Sequence, residues 1–134
     1  MINDGLNLKG KLAISLNGQV VKEVDNIVVA SRMKDATATA MSHMAIGSGT
    51  TNPAAGDTAL ETELGRVALT STAVSNAVVT YTATFAAGTG TGAVTEAGIL
   101  NASSSGTLLC RTEFSVVNKG AADSMTITWT VTVS

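Results

Sequence analysis

The side chains that could carry out chemistry are few in this chain. It has one histidine, His43, and one cysteine, Cys110, among 134 residues. A zinc site usually takes three or four protein ligands, and nucleophilic catalysis needs a base next to its nucleophile. His43 is therefore interpreted as a packed or surface residue, and Cys110 as a small buried hydrophobic residue within an apolar stretch. The sequence predicts no catalytic residue, no metal site and no cofactor.

Three acidic residues, Asp57, Glu61 and Glu63, lie close together in the middle of the chain. This order is typical of a short helix that Asp57 caps at its N terminus and that ends before Gly65. Carboxylates in the first turn of a helix interact favourably with the helix dipole, so the group is interpreted as structural. A small hydrolase in which His43 acts with a nearby carboxylate is a remote alternative.

Glycine and threonine contribute two further patterns. Residues 47–49 and 88–92 are rich in glycine, but they lack the lysine and the strand-to-helix setting of a phosphate-binding loop and are predicted to be turns. Threonines at alternate positions could bind ice or another repetitive surface. Because threonine has a high β propensity, and because the chain lacks the fixed repeat of an ice-binding solenoid, a solvated strand face is the preferred interpretation.

The elements that must position these residues are mainly β-strands. Apolar residues alternate with threonine along residues 79–85 and 125–133, which is the period of a half-buried strand. Asn17-Gly18 is the strongest two-residue hairpin signal, because both residues tolerate positive φ. The predicted strands cover residues 6–16, 19–24, 79–85, 94–100, 107–116 and 125–133.

Length and pattern together indicate one domain. A chain of 134 residues can bury one hydrophobic core, and 45% of its residues are hydrophobic. Short strands without β-α-β spacing favour an all-β fold, an antiparallel β-sandwich of jelly-roll-like type. One or two short helices are expected, at residues 31–44 and 57–64. Residues 1–134 are predicted to form this single domain, with residues 1–8 as an N-terminal arm.

Charge and hydropathy exclude two classes of partner. Eight basic and ten acidic residues leave a net charge of −2, and the basic residues are scattered, which disfavours nucleic-acid binding. The apolar runs are much shorter than the roughly 20 residues of a membrane-spanning helix. The first residues show no basic segment before an apolar one, so no secretory signal is expected and the chain is predicted to be made in a cytoplasm.

Residues 44–66, MAIGSGTTNPAAGDTALETELGR, resemble a segment that is common in structural proteins of tailed bacteriophages. Proteins of this kind include head decoration (cement) proteins, tail-fibre proteins and baseplate components, which share a β-sandwich scaffold. The resemblance implies a non-enzymatic virion protein. It extends through four later pieces, YTATF at residues 81–85, EAGILN at 96–101, LLCR at 108–111 and MTITWTV at 125–131.

Among these virion roles, a capsid decoration protein is preferred, because the sequence has no coiled-coil stalk, no collagen-like repeat and no aromatic-rich tip. Similar proteins bind the outer shell of the head as trimers, so the resemblance implies the major capsid protein as partner and a homotrimer as the oligomeric state. Leu6, Leu8, Asn17 and Gly18 are predicted interface residues, since they lie outside the part that carries the resemblance. A tail-fibre or baseplate component for host attachment is the alternative.

Overall fold

A computed structural model describes residues 8–27, 41–54, 57–75 and 78–133 of the chain. These residues form strands joined by turns and loops, and none of them lies in a helix. No helix in the described part could therefore cross a membrane. The strands are β1 (Leu8–Leu16), β2 (Gln19–Ile27), β3 (His43–Gly47), β4 (Glu63–Ala68), β5 (Ser71–Ser75), β6 (Val78–Phe85), β7 (Gly92–Leu100), β8 (Leu108–Lys119) and β9 (Met125–Val133).

The strands form two antiparallel sheets that pack face to face. The five-stranded sheet has the order β2-β1-β9-β6-β5, and the four-stranded sheet has the order β4-β3-β7-β8. Side chains from both sheets meet in one main hydrophobic core. The predicted all-β sandwich is confirmed.

Strand β9 lies at the centre of the five-stranded sheet, between β1 and β6. Its apolar residues Met125, Ile127, Trp129 and Val131 point into the core and its threonines point to the other face, because successive side chains of a strand alternate between faces. Trp129 lies directly opposite Leu12 on one side and Tyr81 on the other, and all three are buried. The predicted common packing of β6 and β9 is confirmed, through Val79, Tyr81, Phe85, Ile127, Trp129 and Val131.

The first hairpin also follows the prediction. Asn17 and Gly18 have φ angles of 50° and 86°, as a type I′ turn requires. The pairing of β1 with β2 shifts register between Ile14 and Ser15. This shift leaves Val21 as an extra residue in β2, which is a β-bulge.

The prediction of two short helices is wrong for the described residues. At the end of the first predicted helix, Met41 and Ser42 have no regular structure and His43 and Met44 lie in β3, while residues 31–40 of that prediction lie outside the described residues. Residues 57–62 form an irregular loop, after which β4 begins. Strand β3 resembles a helix in sequence because its interior is buried on both faces, and a short apolar run has no strand period.

Trp129→Ala should lower the free energy of unfolding by about 3–5 kcal/mol, because truncating a fully buried indole leaves a cavity in the core. Urea unfolding measures this change. Thr128→Ala, one residue away on the opposite face, is the control and should cost much less. A fluorescence emission spectrum typical of a water-exposed Trp129, together with unchanged stability of Trp129→Ala, would show that the core-facing and solvent-facing residues of β9 are assigned one position out of register.

Candidate functional site

Residues 48–54 and 57–62, the described parts of the loop between β3 and β4, cover the outer face of the four-stranded sheet. On β3, Met44 and Ile46 belong to the main core, whereas Ala45 between them points to the other face. Ala45 packs there with Leu60 of the loop in a second apolar cluster, which also includes residues of β7 and the start of β8. The loop therefore forms a third layer over this sheet, and we call it the covering loop.

A group of buried charges lies under the covering loop. Glu96 on β7 is 0% exposed, and Arg111 on β8 is 6% exposed. Arg111 Nε donates a hydrogen bond of 2.7 Å to Glu96 Oε1, and Arg111 Nη1 donates one of 3.0 Å to Oδ2 of Asp57 in the loop. We call Glu96, Arg111 and Asp57 the ion cluster.

The carboxylate of Glu96 accepts two hydrogen bonds on each oxygen. Oε1 is bonded by Arg111 and by the backbone N–H of Glu61 at 3.0 Å. Oε2 is bonded by the backbone N–H groups of Gly49 and Thr62, both at 2.8 Å. Burial by itself raises the pKa of Glu96, but these four donors outweigh it and hold that pKa below its ordinary value. Glu96 is thus a buried carboxylate that stays ionised.

The guanidinium of Arg111 joins the sheet to both halves of the covering loop. Besides its bonds to Glu96 and Asp57, its Nη2 donates to the carbonyl oxygen of Thr51 at 2.7 Å. Burial by itself lowers the pKa of Arg111, whereas the Glu96 and Asp57 carboxylates raise it, and the net shift is upward. The buried positive charge is therefore matched by acceptors that the chain itself supplies.

The acidic residues of the covering loop bind its own backbone rather than a helix dipole. Glu61 accepts hydrogen bonds from the Thr50 and Thr51 amides at 2.7 and 3.0 Å, and also from the Thr51 hydroxyl. The Thr51 hydroxyl, followed by these amides, lowers the pKa of Glu61. Asp57 accepts from the Ala54 amide at 2.9 Å and closes a turn. The structural role predicted for these residues holds, but the helix that was to explain it is wrong.

Glu63 and Arg66 form a second ion pair at the start of β4, with a shortest separation of 2.7 Å. Arg66 Nη1 also donates to the carbonyl oxygens of Ala102 and Ser105 in the turn between β7 and β8. Gly65, predicted to end a helix, lies within β4. A Cβ there would meet the backbone of the 88–92 turn at 3.0 Å, so glycine is needed for close packing.

The position of the Glu96 carboxylate explains why residues 47 and 49 are glycines. A Cβ at Gly47 would lie 2.5 Å from Glu96 Oε2, and one at Gly49 would lie 2.6 Å from the same atom. Gly98 is similar, because its Cβ would lie 2.8 Å from a methyl group of Leu60. Gly47 is the last residue of β3, so residues 47–49 are only in part the turn that was predicted. The glycines let the carboxylate and the covering loop approach the sheet.

His43 and Cys110, the two residues that sequence analysis considered first for chemistry, are not members of the ion cluster. Cys110 is buried in the main core, as predicted. His43 is half-buried, and its Nδ1 lies 2.7 Å from the Ser42 hydroxyl oxygen. Within the described ranges no carboxylate forms an ion pair or hydrogen bond with His43, and no group of three or more His, Cys, Asp or Glu side chains could hold a metal ion.

The predicted interface residues lie at the other sheet or outside the described part. Leu6 precedes the described residues, and Leu8 begins β1, with nothing described of its side chain. Asn17 binds the turn before β9, since its Nδ2 donates to Asp123 Oδ1 and its Oδ1 accepts from the Ser124 amide, both at 3.0 Å. Gly18 is exposed at the tip of the hairpin, with no atom within 4 Å of where a Cβ would be.

Sequence analysis missed Glu96 and Arg111 as a pair. Each is the charged residue of an otherwise mostly apolar stretch, AGIL after Glu96 and LLC before Arg111. Charged residues are almost never fully buried unless paired, so two charges in such strands were the available signal.

Comparisons with known proteins give no match to any family model, curated protein or solved structure. The functional interpretation therefore depends on the residues and their geometry.

Glu96→Gln should destabilise the protein by about 3–5 kcal/mol, because it leaves Arg111 without its buried partner and turns an amide NH₂ toward backbone donors. Urea unfolding and amide hydrogen exchange in residues 48–62 are the measurements. Glu113→Gln is the matched control, since Glu113 lies directly opposite Glu96 on β8 but is only half-buried. Equal, small effects of the two substitutions would contradict a central role of the ion cluster.

Acid should lower the stability of the folded protein by protonating Glu96. The pKa of folded Glu96 lies below its ordinary value of 4.5, so its contribution is present above that pH and is lost as pH falls through the folded pKa. The stability of the wild type should therefore decline below about pH 4.5, and its advantage over Glu96→Gln should shrink. Unfolding curves for both proteins at a series of pH values test this. Parallel pH profiles would assign the acid sensitivity to other groups.

Proposed function

We propose that this chain is a non-enzymatic structural protein of a tailed-phage virion, and within that class a decoration protein of the head. In this proposal it binds the outer surface of the assembled capsid, through the major capsid protein, and stabilises it without chemistry. The single observation that carries the proposal is the convergence of the segments that resemble phage structural proteins. Residues 44–66, 96–101 and 108–111 supply every member of the ion cluster.

The character of the ion cluster supports a scaffold role. Glu96 accepts four hydrogen bonds and Arg111 donates three, all within the chain itself. These bonds tie the covering loop to the sheet at five residues, Gly49, Thr51, Asp57, Glu61 and Thr62, while its residues 50–54 remain exposed. A surface fixed before contact loses less conformational entropy on binding than a flexible one. Such a surface suits a protein that acts by attaching to a large assembly.

Exposed apolar side chains support self-association as part of this role. Val20, Val21, Val74 and Val116 are large hydrophobic residues at the surface of the described chain. Oligomer interfaces commonly cover such residues. Further copies of the chain are therefore proposed as partners beside the major capsid protein. The trimer expected from the resemblance and a two-fold dimer are competing arrangements, and the mass of the purified chain in solution distinguishes them.

A hydrolase that uses His43 is less well supported. The contact between Ser42 and His43 is the observation in its favour. An activated serine, however, needs a base that a third group orients, and in the described residues no carboxylate binds the His43 ring. The two residues are also sequence neighbours, for which a local hydrogen bond is ordinary.

Fractionated virions should contain the chain in DNA-filled heads, at a copy number comparable to that of the major capsid protein. Quantitative mass spectrometry of heads and tails measures this, with the major capsid protein as the internal standard. A few copies confined to the tail would instead favour the tail-fibre or baseplate alternative. Absence of the chain from both the heads and the tails would contradict the virion proposal.

Deleting residues 1–7 should weaken binding to purified capsids while the sandwich stays folded, because the predicted arm contributes to the interface and β1 begins at Leu8. Cosedimentation with capsids measures binding, and circular dichroism measures folding. Ser104→Ala, at an exposed position of the turn between β7 and β8, is the control and should bind normally. Asn52→Ala tests the exposed covering loop separately, and weaker binding of this variant with normal binding of the deletion would place the capsid interface in the covering loop rather than in the arm.

A further inference from the structure

The two sheets end in four edge strands, β2 and β5 in the larger sheet and β4 and β8 in the smaller one. An edge strand presents unpaired backbone N–H and C=O groups, which can pair with a strand of another chain. Proteins usually prevent this with charged side chains, bulges or covering segments. The four edges of this sandwich differ in that protection.

Three of the edges are protected. Strand β2 carries Lys22, Glu23 and Asp25 and contains the bulge at Val21. Strand β8 carries Arg111, Glu113 and Lys119, and Lys22 Nζ of β2 donates to Ser115 Oγ of β8 at 2.6 Å. Strand β4 contains the Glu63 and Arg66 ion pair and packs against the 88–92 turn.

Among the described residues, strand β5 has none of these devices. Its sequence, STAVS, has no charge and no proline, and it pairs with β6 without a register shift. All of its residues are exposed, and Val74 is 71% exposed. Val74 lies opposite Val79, which packs against the core, so Val74 is on the inner face of its sheet but beyond the cover of the other sheet. In the described part of the chain, β6 is the one strand paired with β5.

We propose that β5 pairs with β5 of a second copy of this chain, antiparallel about a two-fold axis at Ala73. This register is self-complementary, because Ser71 then faces Ser75, Thr72 faces Val74 and Ala73 faces its own equivalent. No charges meet, and each Val74 gains a cross-strand neighbour. The five-stranded sheets of the two copies join into one continuous sheet. This contact makes a dimer, and it does not depend on the virion proposal.

Self-complementarity is the reason for choosing a second copy over an unrelated strand. In a two-fold contact both copies contribute the same strand, so any charge or bulge in β5 would occur twice in the interface. The strand has neither. The other edges are less suited to it, because each carries charged side chains that a shared ladder would have to accommodate, and β2 also contains a bulge.

The mass of the purified chain in solution, measured by light scattering after size-exclusion chromatography, should be that of a dimer. Ala73→Lys should weaken association by at least about tenfold, because it sets two ammonium groups directly opposite each other on the axis. Ala73→Glu should do the same, and an equimolar mixture of the two variants should restore the dimer. Val116→Lys, at an exposed site on the β8 edge, is the control and should remain dimeric.

A cysteine at the axis provides a second measurement. Directly opposed residues of an antiparallel pair have Cβ atoms about 4.5–5.5 Å apart, near enough for small adjustments to close a disulfide. Ala73→Cys should therefore give a covalent dimer under mild oxidation, whereas Val116→Cys should not. The native Cys110 is buried and should not cross-link. A monomeric or trimeric wild type, or a dimer that persists in Ala73→Lys, would overturn the proposal.

Discussion

The buried carboxylate of Glu96 is the constraint on which the four-stranded sheet and its covering loop depend. An ionised group removed from water is strongly unfavourable unless hydrogen bonds and an opposite charge replace its hydration. Here the replacement comes from Arg111 and from three backbone amides at the two ends of the covering loop. The loop must therefore leave β3 and return to β4 beside one side chain, which fixes its path. Glycine at positions 47 and 49 leaves the space that this approach requires.

The covering loop also explains why the two sheets differ in sequence. The outer face of the five-stranded sheet is lined by threonines such as Thr80 and Thr130, which lie directly opposite each other. Strands β6 and β9 of this sheet consequently alternate between apolar and polar residues. The outer face of the four-stranded sheet lies under Leu60 and the ion cluster, so β3 and β7 are buried on both faces. A strand buried on both faces has no reason to alternate.

This difference sets how much of the structure local patterns could predict. Strands β1, β2, β6, β7, β8 and β9 were found from alternation and turn residues, which act within a few positions. Strand β3 has no alternation because both faces are buried, and β5 has none because both faces are exposed. Asp57 satisfied the local rule for a helix cap, but its bond to Arg111, 54 residues away, prevailed. The ion cluster depends on strand register and loop path, which no local spacing encodes.

The arrangement of surfaces allows attachment and self-association to occur together. Strand order places β5 at one edge of the five-stranded sheet and the Asn17-Gly18 hairpin at the opposite edge. The covering loop lies on neither edge, because it packs on the outer face of the other sheet. A contact made through β5 would therefore leave the hairpin tip and the covering loop accessible. Since Asn17 is held by Asp123 and Ser124, the hairpin tip is also fixed before any contact forms, as the covering loop is by Glu96.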